Sequence, residues 1–482
     1  MNKHVVFYFS GLVVMIIGSM MILPLGLSMY YDESLHVRSA ILQAMLITVI
    51  FGRLVSFRRP KNIRIRVRES IAITGLTWTL MVFFGALPFY LSGGIPSLVD
   101  AIFESASGFT TTGSSILTDV EALPHSLLFW RSFSHFIGGM GVLVFSIALL
   151  PHAKSENVQL MKTEMPGPSF EKVMSHVGEV ARNFYIIYAL FTFVLFVVLM
   201  LCGMNAFDAI IHAFGTAGTG GFSNYNDSVA AFNSPLIEVV LSIGMLLFGI
   251  NFNIYFYALK GKPSAFLKSE ELRWYLGIVT FAILALTLST YTLYDGALAT
   301  CLKDALFTVS TIITTTGFGT VDFTLWPQFT QLIILLLMFC GGCAGSTAGG
   351  LKVSRIMALC KMIKKKFQLA VNPNRVSVVS YESKCLSERM QNDISLYFLL
   401  YVGTFILLLV LISFENLDFT TTFSSVAATF NNIGPGLASV GPKCNFADFS
   451  DFSKLVFSFS MVCGRLEIVP LILLFAPSTW RG

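Results

Sequence analysis

The sequence predicts an all-α integral membrane protein: four helix–pore-loop–helix repeats around a pseudo-fourfold pore, plus two N-terminal transmembrane helices. Composition, the spacing of apolar runs and a segment that recurs four times predict it. Of the 482 residues, 55% are hydrophobic and only 12% charged, which excludes the soluble domains that length alone would suggest. Apolar stretches of about 20 residues, enough to cross roughly 30 Å of hydrocarbon, recur along the whole chain.

Taken in order, the apolar runs fall at 4–30, 36–56, 70–91, 125–150, 180–204, 233–259, 274–294, 328–360, 394–413 and 454–476, ten spans with both termini inside. The first run is too long for the apolar core of a signal peptide and reads as a retained span. Net charge is +5, and its placement says more than its size. Arg58, Arg59, Lys61, Arg64, Arg66 and Arg68 crowd one connection, Lys260, Lys262 and Lys268 another, and Lys361, Lys364, Lys365 and Lys366 a third, which the positive-inside rule places in the cytoplasm. Such short clusters directly beside spans do not fit nucleic acid. The eight cysteines are scattered, mostly in or beside apolar runs, and read as buried small hydrophobes rather than a disulfide framework. Cys340 and Cys343 form a C-x-x-C that lacks the second pair or the histidines a metal site needs.

The organisation that follows is 1–69 for two leading helices and a basic loop, then repeats at 70–151, 180–260, 273–366 and 394–482. Inside each repeat lies a segment too short to span twice and too apolar for an ordinary loop. These segments open at Asp100, Asp208, Asp304 and Asp418, each read as a helix N-cap. A glycine follows 13, 12, 13 and 16 residues later, at Gly113, Gly220, Gly317 and Gly434. A helix of about 12 residues is about 18 Å long, half a bilayer, and points its partially negative C-terminal end at the membrane middle. The chain then returns in non-helical form, which is tolerated only where protein buries it or a watery path runs beside it.

The four return stretches include Thr111-Thr112-Gly113, Thr219-Gly220, Thr315-Thr316-Gly317 and Asn432-Ile433-Gly434. The third, continued by Phe318-Gly319, looks like the Thr-Val-Gly-Tyr-Gly filter of potassium channels, in which rings of backbone carbonyls replace the hydration shell of K+. Any one of these stretches alone could be an ordinary turn; four at matched positions argue for a filter. Asp119, Asp227, Asp322 and Asp448 follow the filters and are placed at the outer mouth, either enriching cations there or simply solvated. Five glycines between Gly341 and Gly350, with Ser346 and Thr347 among them, predict a helix broken into halves by an intramembrane loop, with close helix packing as the alternative. Arg465 lies mid-span, where a charge costs about 3 kcal/mol or more. It is read as facing the pore and bonding the loop around Gly345, Ser346 and Thr347 as a gate, with an ion pair to another helix as the alternative.

At these residues the chain resembles the TrkH-type subunits of the Trk/Ktr/HKT potassium transporter superfamily. The motifs are Ser107-Gly108-Phe109-Thr110-Thr111-Thr112-Gly113-Ser114, the third filter, the Cys340 to Gly350 block and Gly464-Arg465-Leu466-Glu467-Ile468-Val469-Pro470. The resemblance covers nearly the whole chain, and the two leading spans fit the TrkH branch better than the shorter KtrB-like one. It implies potassium selectivity, since all four filter positions are glycine, and an intramembrane loop that obstructs the pore. It further implies residence in a bacterial inner membrane and a homodimer with one pore per subunit. The partner it implies is a cytosolic TrkA-type nucleotide-binding ring sensing NAD or ATP, for which the basic connections Lys154 to Lys172, Lys260 to Arg273 and Lys361 to Arg389 are the candidate surfaces. Membrane lipid attracts the same residues equally well. The expected ligand is K+, with no other cofactor. An alternating-access cation symporter is the competing reading, and an enzyme is disfavoured by the absence of catalytic motifs.

Overall fold

Among the described residues, six helices are long and apolar enough to cross a bilayer: Lys3–Tyr30, Leu35–Val55, Val67–Leu91, Ala181–Leu201, Glu270–Tyr294 and Glu388–Glu415. They belong to a computed structural model that describes residues 1–60, 65–141, 177–382 and 384–480. The chain is therefore a multi-pass membrane protein. The basic residues Lys61 and Arg64, the end of the expected span at 125–150 and the connection from Lys154 to Lys172 lie outside the described residues.

The two leading helices cross where small residues face each other. A methyl group added at Gly11 or at Gly52 would fall within 3.0 Å of the other helix's backbone, the close approach that small residues permit between membrane helices. The N-terminus is tied to the first repeat by Glu69, which accepts the Asn2 N–H at 2.9 Å and the Arg66 N–H at 3.1 Å.

Each repeat then consists of a long first helix, a half-helix, a non-helical return and a second helix. The half-helices are Leu98–Phe109, Ala206–Gly218, Leu298–Ile313 and Phe419–Phe430. Their caps differ from the expectation at three of four positions. Ser97 and Asn205 take the N-cap role, accepting the N–H groups of Asp100 and Asp208, while Asp304 sits inside its helix, and Asp418 alone caps, accepting the Thr421 N–H at 2.9 Å. At Asp100 and Asp208 a carboxylate in the first turn still complements the positive helix end, and Asp100, Asp208 and Asp304 each have a specific partner. Asp100 pairs with Lys454 at 2.7 Å, Asp304 with Lys303 at 3.1 Å, and Asp208 accepts from Asn224 and Tyr225. Burial, followed by the bond to Asp208, pushes the Tyr225 hydroxyl up to about 12, so it stays a donor.

The second helices are shorter than the expected spans. They run His125–Gly139, Pro235–Phe248, Gln328–Cys340 and Asp451–Arg465, or 13 to 15 residues each. Breaks follow in repeats 2, 3 and 4: an 87° bend before Phe252–Leu259, the glycine-rich loop before Val353–Val371, and a turn through Glu467 and Ile468, both with positive φ, before Val469–Phe475. The break in repeat 3 was expected; the continuous spans over 233–259 and 454–476 are corrected here. A break at membrane depth is stable only where other groups pair the freed backbone, which a sequence pattern does not record.

Second helices press directly on half-helix ends. A methyl group added at Gly138 would fall within 3.0 Å of the Phe109 carbonyl oxygen, and at Gly464 within 3.0 Å of that of Phe430. A buried ion pair braces the same region. Arg131 Nε donates to Glu104 Oε1 at 2.5 Å, Arg131 Nη1 donates to the Ser223 carbonyl at 2.9 Å, and the guanidinium lies 3.6 Å from the Phe222 ring centre. Glu104 also accepts from Ser115 Oγ and from the Ile116 N–H, so one pair holds the return strands of repeats 1 and 2.

Two stability outcomes follow. Gly138→Ala overpacks the contact with Phe109 and lowers stability by about 1–3 kcal/mol in thermal unfolding of detergent-solubilised protein. Arg131→Met strands a buried carboxylate at a cost of about 3–5 kcal/mol, and the double variant Arg131→Met/Glu104→Leu recovers most of the loss in the same measurement.

Candidate functional site

All four half-helices end in the same way. The sixth-to-first hydrogen bonds Thr112 N→Ser107 O, Gly220 N→Gly215 O, Thr316 N→Thr311 O and Ile433 N→Ala428 O measure 2.8 to 2.9 Å. The residue before each of these donors, Thr111, Thr219, Thr315 or Asn432, has a φ between 54° and 57°. This is a Schellman cap with a non-glycine residue in the left-handed region, at a cost of about 1–2 kcal/mol each and most unusual for a β-branched threonine. Such strain persists only where the surroundings enforce it.

Two residues beyond each left-handed residue stands a glycine of positive φ: Gly113, Gly221, Gly317 and Gly434. This shifts the expected register of repeat 2 by one. Gly220 occupies the place of the second threonine, and Gly221 the place of the filter glycine. The spacing from Asp208 becomes 13, the value found from Asp100 to Gly113 and from Asp304 to Gly317. Position 220 carries no side chain because His135 fills that space, and a methyl group there would lie within 3.0 Å of the imidazole. His135 donates from Nδ1 to the Gly108 carbonyl at 2.7 Å and accepts the Phe222 N–H on Nε2 at 3.3 Å, which defines a neutral ring.

The four glycines close a circle. A methyl group added at Gly113 would fall within 3.0 Å of the Gly220 carbonyl oxygen, at Gly221 within 3.0 Å of Thr316 O, at Gly317 within 3.0 Å of Ile433 O, and at Gly434 within 3.0 Å of Thr112 O. Each loop thus touches the carbonyl of the next, and the fourth returns to the first. One outer vestibule of about 230 Å³ is lined by all four glycines. Cross-repeat bonds hold the circle, from Ser114 Oγ to the Gly434 carbonyl at 3.0 Å and from Asn432 Nδ2 to Thr112 Oγ1 at 2.9 Å. Of the acidic residues expected at the mouth, Asp227 lines the vestibule, whereas Asp119 accepts from Asn226, Asp322 binds Thr324 and Asp448 is exposed elsewhere.

Beneath this ring lies the loop 341–352. Its Gly349 N–H donates to Thr315 Oγ1 at 2.7 Å, so the loop touches a ring residue directly. It is seated on the bend of repeat 2: Cys343 N–H donates to Gly249 O, Phe252 N–H to Gly345 O, both at 3.0 Å, and Thr347 Oγ1 to Phe248 O at 3.3 Å. Gly249 O and Phe252 N–H are groups that a continuous helix would pair internally, so the bend and the loop satisfy each other. Arg465 donates from Nη1 to Thr347 O at 2.7 Å and from Nη2 to Gly138 O and Gly139 O at 2.6 and 2.5 Å. The last two are carbonyls at the C-terminal end of the second helix of repeat 1, where a cation is favoured, and Gly138 O also accepts the Gly141 N–H at 3.1 Å. Gly345, Ser346 and Arg465 line an inner cavity with Lys352 and Glu467. Glu467 pairs with Arg355, whose guanidinium lies 4.1 Å from the Tyr397 ring centre.

The residue types of Arg131, Glu104 and His135 gave no repeat signal in the sequence, because each occurs in one repeat only. Asn251, a polar residue within an apolar run, was the available hint of the bend at Gly249. Among the described residues no group of three or more His, Cys, Asp or Glu side chains could hold a metal ion, and Cys340 and Cys343 are free thiols. The site offers backbone carbonyls and hydroxyls.

Comparison with known proteins agrees with this architecture. The family model described as TrkH, cation transport protein, matches residues 37–481. The chain is 37% identical over 479 residues to the Trk system potassium uptake protein TrkH of Salmonella typhimurium, covering 98% of both chains. It is 31% identical over 485 residues to the Trk system potassium uptake protein TrkG of Escherichia coli, covering 100% of this chain and 99% of that protein. The crystal structure of the potassium transporter TrkH from Vibrio parahaemolyticus superimposes with a TM-score of 0.90 at 30% identity, over 100% of both chains. These relatives are transport proteins and not enzymes. With its four half-helices closing one ring between an outer vestibule and an inner cavity, the chain belongs to the TrkH family of cation transport proteins.

Proposed function

We propose that this protein takes up potassium across a bacterial inner membrane through a selective, channel-like pathway walled by its four repeats, 70–151, 180–260, 273–366 and 394–482. The observation that carries the reading is the closed circle of Gly113, Gly221, Gly317 and Gly434 against the carbonyls of Gly220, Thr316, Ile433 and Thr112. K+ sheds water where a ring of such oxygens replaces it. The carbonyls of Thr111, Thr112, Gly113, Thr219, Gly220, Thr315, Thr316, Gly317, Asn432, Ile433 and Gly434 supply the ligands, with Gly221 joining them in repeat 2. The negative ends of four half-helices favour a cation at the same level.

Gly345, Ser346, Thr347 and Arg465 form the gate in this reading. The loop lies between ring and inner cavity, and the guanidinium adds a positive charge to the path of a cation. Moving the loop away exchanges hydrogen bonds at Thr315 and Arg465, which can be remade with other partners and so suit a reversible gate. Assembly as a homodimer and control by a cytosolic TrkA-type nucleotide-binding ring follow from the family resemblance. The exposed basic connections 260–273 and 361–389 are the surfaces on which such a ring would act. Broken helices are shared with alternating-access symporters. A ring made of backbone from all four repeats favours the channel-like reading over that one, and coupling to protons or sodium is decided by flux.

Purified protein in liposomes passes potassium and rubidium much faster than sodium, measured as isotope or fluorescent-dye flux with and without a proton gradient. Gly113→Ser and Gly221→Ser each place a side chain against a neighbouring carbonyl and reduce potassium over sodium discrimination by about tenfold, or ~1.4 kcal/mol; unchanged discrimination in both variants removes the filter from this position. Arg465→Ala raises potassium flux several-fold, and a flux equal to or below that of the unmodified protein argues against the gate.

A further inference from the structure

The loop 341–352 has an anchor outside the ring and outside Arg465. Glu271, in the first turn of the long first helix of repeat 3, is 1% exposed. Its Oε1 accepts the Ala344 N–H at 2.6 Å, one residue before Gly345, and its Oε2 accepts the Tyr381 hydroxyl at 3.1 Å. Among the described residues it forms no salt bridge. A buried carboxyl without a cationic partner is an expensive way to fill space, and its hydrogen bonds are what offset that cost.

Tyr381 belongs to a two-stranded hairpin, Ser380–Tyr381 against Lys384–Cys385, on the basic connection that follows repeat 3. The hairpin is fastened to the same helix end. Glu382 accepts Ser269 Oγ at 2.9 Å and the Glu271 N–H at 3.1 Å, and Lys361 bridges the Ser380 carbonyl and Glu270. A continuous hydrogen-bonded path therefore runs from this hairpin through Tyr381 and Glu271 to the backbone of the loop. Displacing the hairpin withdraws the Tyr381 hydroxyl and the Glu382 cap from Glu271 together.

Building on the gate reading above, we propose that Glu271 is the positioning residue that holds the intramembrane loop under the ring, and that Tyr381 couples its release to the hairpin at 380–385. The role is held by the hydrogen bonds rather than by the charge. Glutamine in its place keeps an oxygen for the Ala344 N–H, whereas leucine leaves that donor buried and alone.

The test uses the full chain in liposomes, carrying Ser346→Cys as a reporter in the loop. The rate of its modification by a charged methanethiosulfonate reagent is read against the same protein without that substitution, which subtracts the native thiols. Glu271→Leu raises the rate about tenfold, the change in loop population expected from leaving a buried donor unpaired. Tyr381→Phe raises it less, and Glu271→Gln returns it to the parent value. An unchanged rate in Glu271→Leu and Tyr381→Phe overturns the inference, as does an equal rise in Glu271→Gln and Glu271→Leu. If Glu271→Leu does not fold, Tyr381→Phe decides alone. Potassium flux through Arg465→Ala in parallel vesicles tests the gate itself. A flux that rises while the labelling stays constant removes Glu271 and leaves the gate standing; labelling that rises while that flux does not removes the gate and leaves Glu271 as the anchor of the loop.

Discussion

Backbone N–H and C=O groups that leave a helix inside a membrane must find partners, and much of this structure follows from that requirement. The half-helices stop at mid-depth, the second helices of repeats 2, 3 and 4 break, and the return strands are non-helical. Some freed groups are paired within the repeat, as in the Schellman caps, and others by a group from another repeat. The bend at Gly249 receives the Cys343 N–H, Gly345 O receives the Phe252 N–H, and the carbonyls of Gly138 and Gly139 receive Arg465. The four repeats are thus unequal by necessity, since a break in one is satisfied by a different device in its neighbour.

The ring sits at the point where these pairings leave backbone oxygens available to a cation, apart from Gly434 O, which accepts Ser114 Oγ. Its loops are held by Schellman caps, strained threonines and glycines that no larger residue could replace without striking the next loop. Rigidity comes from behind. Glu104 with Arg131 braces repeats 1 and 2, His135 fills the gap that Gly220 leaves, and Asp100 with Lys454 ties repeat 1 to repeat 4. Glu104 and Arg131 are buried and paired with each other, which is the condition under which buried charge specifies a geometry instead of weakening it.

The loop under the ring differs in kind. It is held by hydrogen bonds to Thr315, Arg465, Glu271 and the bend of repeat 2, with the small side chains of Cys343, Ala344 and Ala348 buried beside them, and it is rich in glycine. Hydrogen bonds of this sort can be exchanged for others with a small net change in free energy, whereas interdigitated side chains cannot slide without opening a void. A segment attached in this way beside a cavity is suited to move, and the ring above it is suited to stay.

The sequence by itself determined the membrane character, the fourfold recurrence, the half-helices and the glycine-rich break after Cys340, because these depend on local composition and on period. It also singled out Arg465, since a charge in the middle of an apolar run is visible without coordinates. Tertiary structure alone decided the register in repeat 2, where two adjacent glycines, 220 and 221, look equivalent until His135 is seen against one and the Thr316 carbonyl against the other. It decided the breaks at Gly249 and Glu467 and the pairing of Glu104 with Arg131 and of Glu271 with Ala344. These features rest on partners 73 residues away for Glu271 and 27 for Glu104, and a contact across the fold leaves no periodic trace in the chain that makes it.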